Sequence, residues 1–94
     1  MEEIRHATLD LSGCKDLRDL HTRIRDSLDF PDYYGKNWPA FWDCINRDCE
    51  YNFITVTGES KVASILKPSV EKMNELLERN KVYWHCYFDY EIID

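Results

Sequence analysis

Asp43, Cys44, His21 and the adjacent pair His85-Cys86 are the residues of this chain whose types could do chemistry. An acid that moves a proton during hydrolysis needs a second acid or a base beside it in a cleft. Asp43 has no acidic mate, and the position one helical turn before it is Pro39. A thiol nucleophile needs exposure and a nearby base, whereas Cys44 stands between Trp42 and Ile45 and reads as a small buried hydrophobe. His21 adjoins the apolar stripe of a predicted helix and reads as a structural histidine. His85 and Cys86 fall in a strand-like run, where neighbouring side chains point to opposite faces, so they form neither a dyad nor a chelate. Cys14, Cys44, Cys49 and Cys86 lack the C-x-x-C spacing of a zinc site and read as free, mostly buried thiols. No enzyme, cofactor or metal site is expected.

The pattern points to recognition instead. Tyr33-Tyr34-Gly35-Lys36-Asn37-Trp38-Pro39-Ala40-Phe41-Trp42-Asp43-Cys44-Ile45 joins a tight turn to a short amphipathic helix. Two tyrosines and two tryptophans close to an acid are the usual makings of a protein-binding hot spot. One tyrosine is expected to pack at the turn and the other to face solvent. Trp38 and Phe41 recur at helical spacing, which assigns them to the core.

The elements that position this segment alternate between strand and helix. Residues 5–11 alternate, with Ala7, Leu9 and Leu11 on one face, and predict a first strand. Asp16 is an N-cap candidate, and Leu17, Leu20, Ile24 and Leu28 form one helical stripe that Phe30-Pro31 ends. Asn37 caps the second helix, with Pro39 tolerated in its first turn. Residues 53–57 predict a second strand. Two short helices follow, the first carried by Val62, Ala63, Ile65 and Leu66 and the second by Val70, Met73, Leu76 and Leu77, with Pro68 between them. The aromatic run 82–90 predicts a long last strand. Glu71, Glu75 and Glu78 recur on one face of the fourth helix and read as a solvated face. The order β-αα-β-αα-β predicts an α/β domain with a three-stranded parallel sheet and about four helices, connected right-handedly.

Charge and length bound the partners. The 94 residues allow one domain with a modest core. Eighteen acids against twelve bases give a formal net charge of −6, which argues against nucleic acid and suits a basic protein. No apolar run approaches the length of a membrane span. The start, Met1-Glu2-Glu3-Ile4-Arg5-His6, lacks a signal-peptide core, so a cytoplasmic protein is expected.

Asp19-Leu20-His21, Phe30-Pro31-x-Tyr33-Tyr34-Gly35-x-Asn37 and Trp42-Asp43-Cys44 together resemble the barstar family, intracellular inhibitors of a secreted bacterial ribonuclease. The resemblance covers most of the chain, and after about residue 58 it is one of pattern rather than identity. It implies a barstar-like fold and a monomeric immunity protein that meets a basic ribonuclease or related nuclease toxin one to one. By resemblance Asp43 is the main acid entering the enzyme's cleft and Tyr33 the main aromatic contact. Tyr34, Gly35, Asn37, Trp42, Asn46 and Arg47 complete the partner-binding set. The chain departs from the family pattern at Pro39 and Lys36, where the family carries acids, and at Arg47 and Asp48, which replace small and aromatic residues. These departures keep open a barstar-like module that regulates a partner other than a ribonuclease.

Overall fold

The computed structural model of the protein describes residues 3–94, the side chain of Cys86 excepted. The expectations for residues 1–2 and for the Cys86 thiol lie outside the described residues. The chain runs through β1 (His6–Asp10), α1 (Leu17–Leu28), α2 (Trp38–Asp43), a π-helical turn (Cys44–Asp48), β2 (Phe53–Thr57), two 3-10 turns (Glu59–Lys61 and Ser64–Leu66), α3 (Lys67–Trp84), a 3-10 turn (His85–Tyr87) and β3 (Asp89–Ile93).

The three strands form one parallel sheet in the order β1-β2-β3. Parallel neighbours need crossover connections, which the helices supply. Register decides the two faces. Ala7 pairs with Ile54 and Leu9 with Val56, and these four side chains are buried against the helices. The opposite face carries the aligned row Thr8, Thr55 and Glu91. There the Thr55 hydroxyl donates to Glu91 Oε2 at 2.8 Å and lies 2.7 Å from His6 Nε2. A polar, hydrogen-bonded row suits a face without a covering layer.

α1 forms where its stripe demands it. Leu20, Ile24 and Leu28 are fully buried, each contributing about 1.5–3 kcal/mol by leaving water. Asp16 Oδ1 accepts from the Asp19 N–H at 2.7 Å, satisfying one of the helix's orphan donors. Asp29, at φ 54°, turns the chain out of the helix before Phe30. Leu17, expected on the stripe, is half exposed at its start.

Two expectations need correction in the second half. Pro68 does not divide two helices. It occupies the first turn of α3, where its missing N–H costs little, and the residues before it form only 3-10 turns. The run 82–90 is not one strand. Val82, Tyr83 and Trp84 complete α3, which stops at His85 with φ 57°, and β3 begins at Asp89. The helical repeat that buries Met73, Leu77 and Asn80 reaches Trp84, and this packing outweighs an aromatic strand preference worth less than about 1 kcal/mol per residue. The α/β class and the parallel sheet stand; the helix count becomes three α-helices and several single turns. Among the described residues, no helix is long and apolar enough to cross a membrane.

Candidate protein-binding face

The turn before α2 divides its two tyrosines between inside and outside. The Tyr34 N–H donates to the Pro31 carbonyl at 2.9 Å, which closes the turn. Tyr34 then faces inward at 5% exposure, edge-on to Phe30, with its hydroxyl 2.6 Å from His21 Nδ1. Burial holds the Tyr34 phenol far above its usual range, so it stays protonated. Tyr33 faces outward at 79% exposure. Of the pair, Tyr33 is offered at the surface and Tyr34 anchors the turn.

His21 is the inner post of this turn. It is buried, and its ring packs tilted against Trp38, with ring centres 4.6 Å apart. Burial lowers its pKa from 6.5, and the positive charge of Lys36 lowers it further. Lys36 itself takes the left-handed backbone conformation, φ 54°, while Gly35 does not. Gly35 is needed for closeness instead. A Cβ there would sit 3.2 Å from Asn37 Nδ2 and 3.4 Å from the Ala40 side chain.

Asn37 then starts α2, with its Oδ1 accepting from the Ala40 N–H at 2.8 Å. Phe41 enters the core completely. Trp42 is half-buried beneath α3, with the Arg79 guanidinium 5.8 Å from its ring centre and Tyr83 edge-on at 6.3 Å. Asp43 is exposed and makes no hydrogen bond or ion pair among the described residues. A carboxylate on a fixed helix with no internal partner is available to a cation brought by another molecule.

α2 passes directly into the π-helical turn Cys44–Asp48. Such a turn is wider than an α-helix and marks functional segments more often than chance. Its carbonyls need partners, and α3 supplies them. Asn80 is fully buried, donates to the Ile45 carbonyl at 3.4 Å, and accepts from Asn46 Nδ2 at 3.0 Å. The Trp84 indole donates to the Asn46 carbonyl at 3.2 Å. Arg47, next along, is exposed and carries no ion pair among the described residues.

Turn, α2 and π-turn thus bring the expected residues into one continuous stretch, with Tyr33, Gly35, Asn37, Asp43 and Arg47 exposed, Trp42 and Asn46 half-buried, and Tyr34 beneath. Asn80, Arg79, Tyr83 and Trp84 were absent from the sequence-based set. Their signal was the unbroken 3-4 spacing of Met73, Leu77, Asn80 and Trp84, obscured by the aromatic run. Two of the three glutamates of α3 are engaged: Glu75 lies 3.4 Å from Arg79 and 3.7 Å from Lys72 on the same helix, and Glu78 accepts from the Tyr90 hydroxyl of β3 at 2.9 Å. Cys14 and Cys44 are buried free thiols and Cys49 is half-buried. Burial raises all three pKa values, Cys49 to about 11, the opposite of an activated nucleophile. No group of three or more His, Cys, Asp and Glu side chains among the described residues could hold a metal ion.

Comparison with known proteins adds to this geometry. Over 42 residues, 45% of the chain, the protein is 43% identical to the Bacillus subtilis (strain 168) protein named "Putative ribonuclease inhibitor YrdF"; the chain spans 46% of that relative's length. The family model described as Barstar (barnase inhibitor) matches residues 4–90, nearly the whole chain. With its parallel three-stranded sheet and the tyrosine turn leading into Trp42-Asp43, the protein belongs to the barstar family.

Proposed function

We propose that the protein is an immunity protein rather than an enzyme, and that it blocks the active site of a basic ribonuclease toxin. The observation that carries this reading is Asp43, an exposed carboxylate without an internal partner, fixed on α2 in a family of ribonuclease inhibitors. A ribonuclease cleft is cationic because it holds phosphates. A rigid carboxylate inserted there replaces a phosphate without being cleavable. Tyr33 supplies a large exposed ring beside it, and aromatic anchors of this kind carry disproportionate binding energy. Gly35 and Asn37 shape the approach, Trp42 forms the floor, and Asn46 and Arg47 extend the face along the π-turn. The net charge of −6 draws a basic partner in, so association should slow as salt screens it.

The test is a titration against a barnase-type ribonuclease, read by cleavage of a fluorescent RNA. The expected result is inhibition at one-to-one stoichiometry, weakened at least about tenfold by Asp43→Ala and by Tyr33→Ala. Undiminished inhibition by both variants would move the site away from this face. A complete lack of inhibition by the parent protein would reject this enzyme class as the partner.

A further inference from the structure

A cavity of about 540 Å³ opens beside the π-turn, at the end of the sheet where the strands begin. Its size lies in the range of small-molecule sites. The wall is built by the π-turn, by residues 49–52, by the last turn of α3 and by the loop into β3. Its composition runs against the rest of the protein. The chain carries eighteen acids and twelve bases, yet Arg5 and Arg47 line the cavity and no Asp or Glu does. Four aromatic residues, Tyr51, Trp84, Tyr87 and Phe88, share the wall with them. Tyr87 is 59% exposed and Trp84 39% exposed, so both present ring surface to solvent. Among the described residues, the Arg47 guanidinium, the Tyr87 hydroxyl and Asn46 Oδ1 have no hydrogen-bond partner.

Guanidinium groups recognise planar or tetrahedral oxyanions through paired N–H donors. Exposed aromatic faces favour a second flat ring, and stacking of a nucleobase on such a face tolerates any base. We propose that this cavity is a binding site for a small aromatic anion of the nucleoside 5′-monophosphate class. Arg47 holds the phosphate, Arg5 adds positive charge to the wall, and Trp84 and Tyr87 receive the base. A single phosphate inside a locally cationic hollow is compatible with a net charge that repels a long polyanion, because attraction over a few ångströms outweighs a screened distant field. The cavity shares Asn46 and Arg47 with the proposed inhibitor face, but nucleotide binding is read on the free protein, so its failure would leave the inhibitor reading standing.

The test is isothermal titration calorimetry of the full chain with guanosine 5′-monophosphate and uridine 5′-monophosphate, using inorganic phosphate and guanosine as single-feature probes. Saturable binding of both nucleotides is expected, tighter than either single-feature probe. Arg47→Ala and Tyr87→Ala, both at exposed positions, should each weaken it at least about tenfold. Arg18→Ala, which removes an exposed cation on α1 away from the wall, should leave it unchanged. The Trp84 indole N–H resonance should shift on titration. Three results would each overturn the proposal: no saturable binding of either nucleotide; phosphate binding as tightly as the nucleotides, which means an adventitious ion only; or nucleotide affinity indifferent to either cavity substitution.

Discussion

Asn80 Oδ1 accepts from Asn46 Nδ2 at 3.0 Å, and through this bond the fully buried Asn80 of α3 holds the π-turn that continues α2. Asn80 has a second task, donating to the Ile45 carbonyl. A buried amide with both ends used is stabilising only while both partners remain. Asn80→Ala should therefore destabilise the protein by about 1–3 kcal/mol in urea unfolding, because Ile45 O and Asn46 Nδ2 lose their partner together. Combined with Asn46→Ala it should show a coupling energy of about 0.5 kcal/mol or more. Strict additivity would mean that the two side chains act separately.

The buried His21 makes stability depend on pH. Its folded pKa lies below 6.5 because burial disfavours the imidazolium and Lys36 repels it. A base with a depressed folded pKa binds its proton more readily in the unfolded chain. Stability is therefore full above about pH 6.5 and falls as pH drops through that value, by at most about 1.4 kcal/mol per pH unit. The lowered carboxylates Asp10 and Asp19 act in a separate window, below about pH 3.8. Chemical unfolding at intervals from pH 5 to 7.5 should show the slope, and His21→Asn should flatten it whatever its own cost. Tyr34→Phe, which strips the partner of Nδ1 while keeping the ring, should cost about 1–3 kcal/mol at neutral pH.

Much of the site could be read from the sequence because its rules are local. Asn37 as a cap, Pro39 in the first turn of the helix and the apolar spacing of Trp38, Phe41 and Ile45 concern residues a few positions apart. The same holds for α1 and its Asp16 cap. The missed parts are settled by distant partners. The π-turn exists beside Asn80 and Trp84, more than thirty residues away, which satisfy its carbonyls. The last turn of α3 is helical because Trp84 reaches that turn and Tyr83 packs edge-on to Trp42. Judged by propensity alone, Tyr83 and Trp84 belong in a strand. Within the turn itself, the positive φ falls on Lys36 and not on Gly35.

Glu59 offers a substitution that should strengthen the fold. Its Oε1 accepts from Asn74 Nδ2 at 3.1 Å, while among the described residues its Oε2 and Asn74 Oδ1 are buried without partners. Burial raises the Glu59 pKa above 4.5, opposed in part by the bond from Asn74. For an acid raised on folding, the unfolded chain ionises first. Its stability contribution is therefore best below about pH 4.5 and declines as pH rises through the folded value. Glu59→Gln removes the charge and adds a donor that can reach Asn74 Oδ1, completing a reciprocal pair of amides. At pH 7 the variant should be more stable by about 1 kcal/mol. The gain should shrink toward pH 4, where the parent carboxyl is itself protonated and can donate in the same way. A thermal unfolding series of both proteins from pH 4 to 7.5 reads both effects. A constant difference across that range would show that packing, not the unpaired charge, separates them.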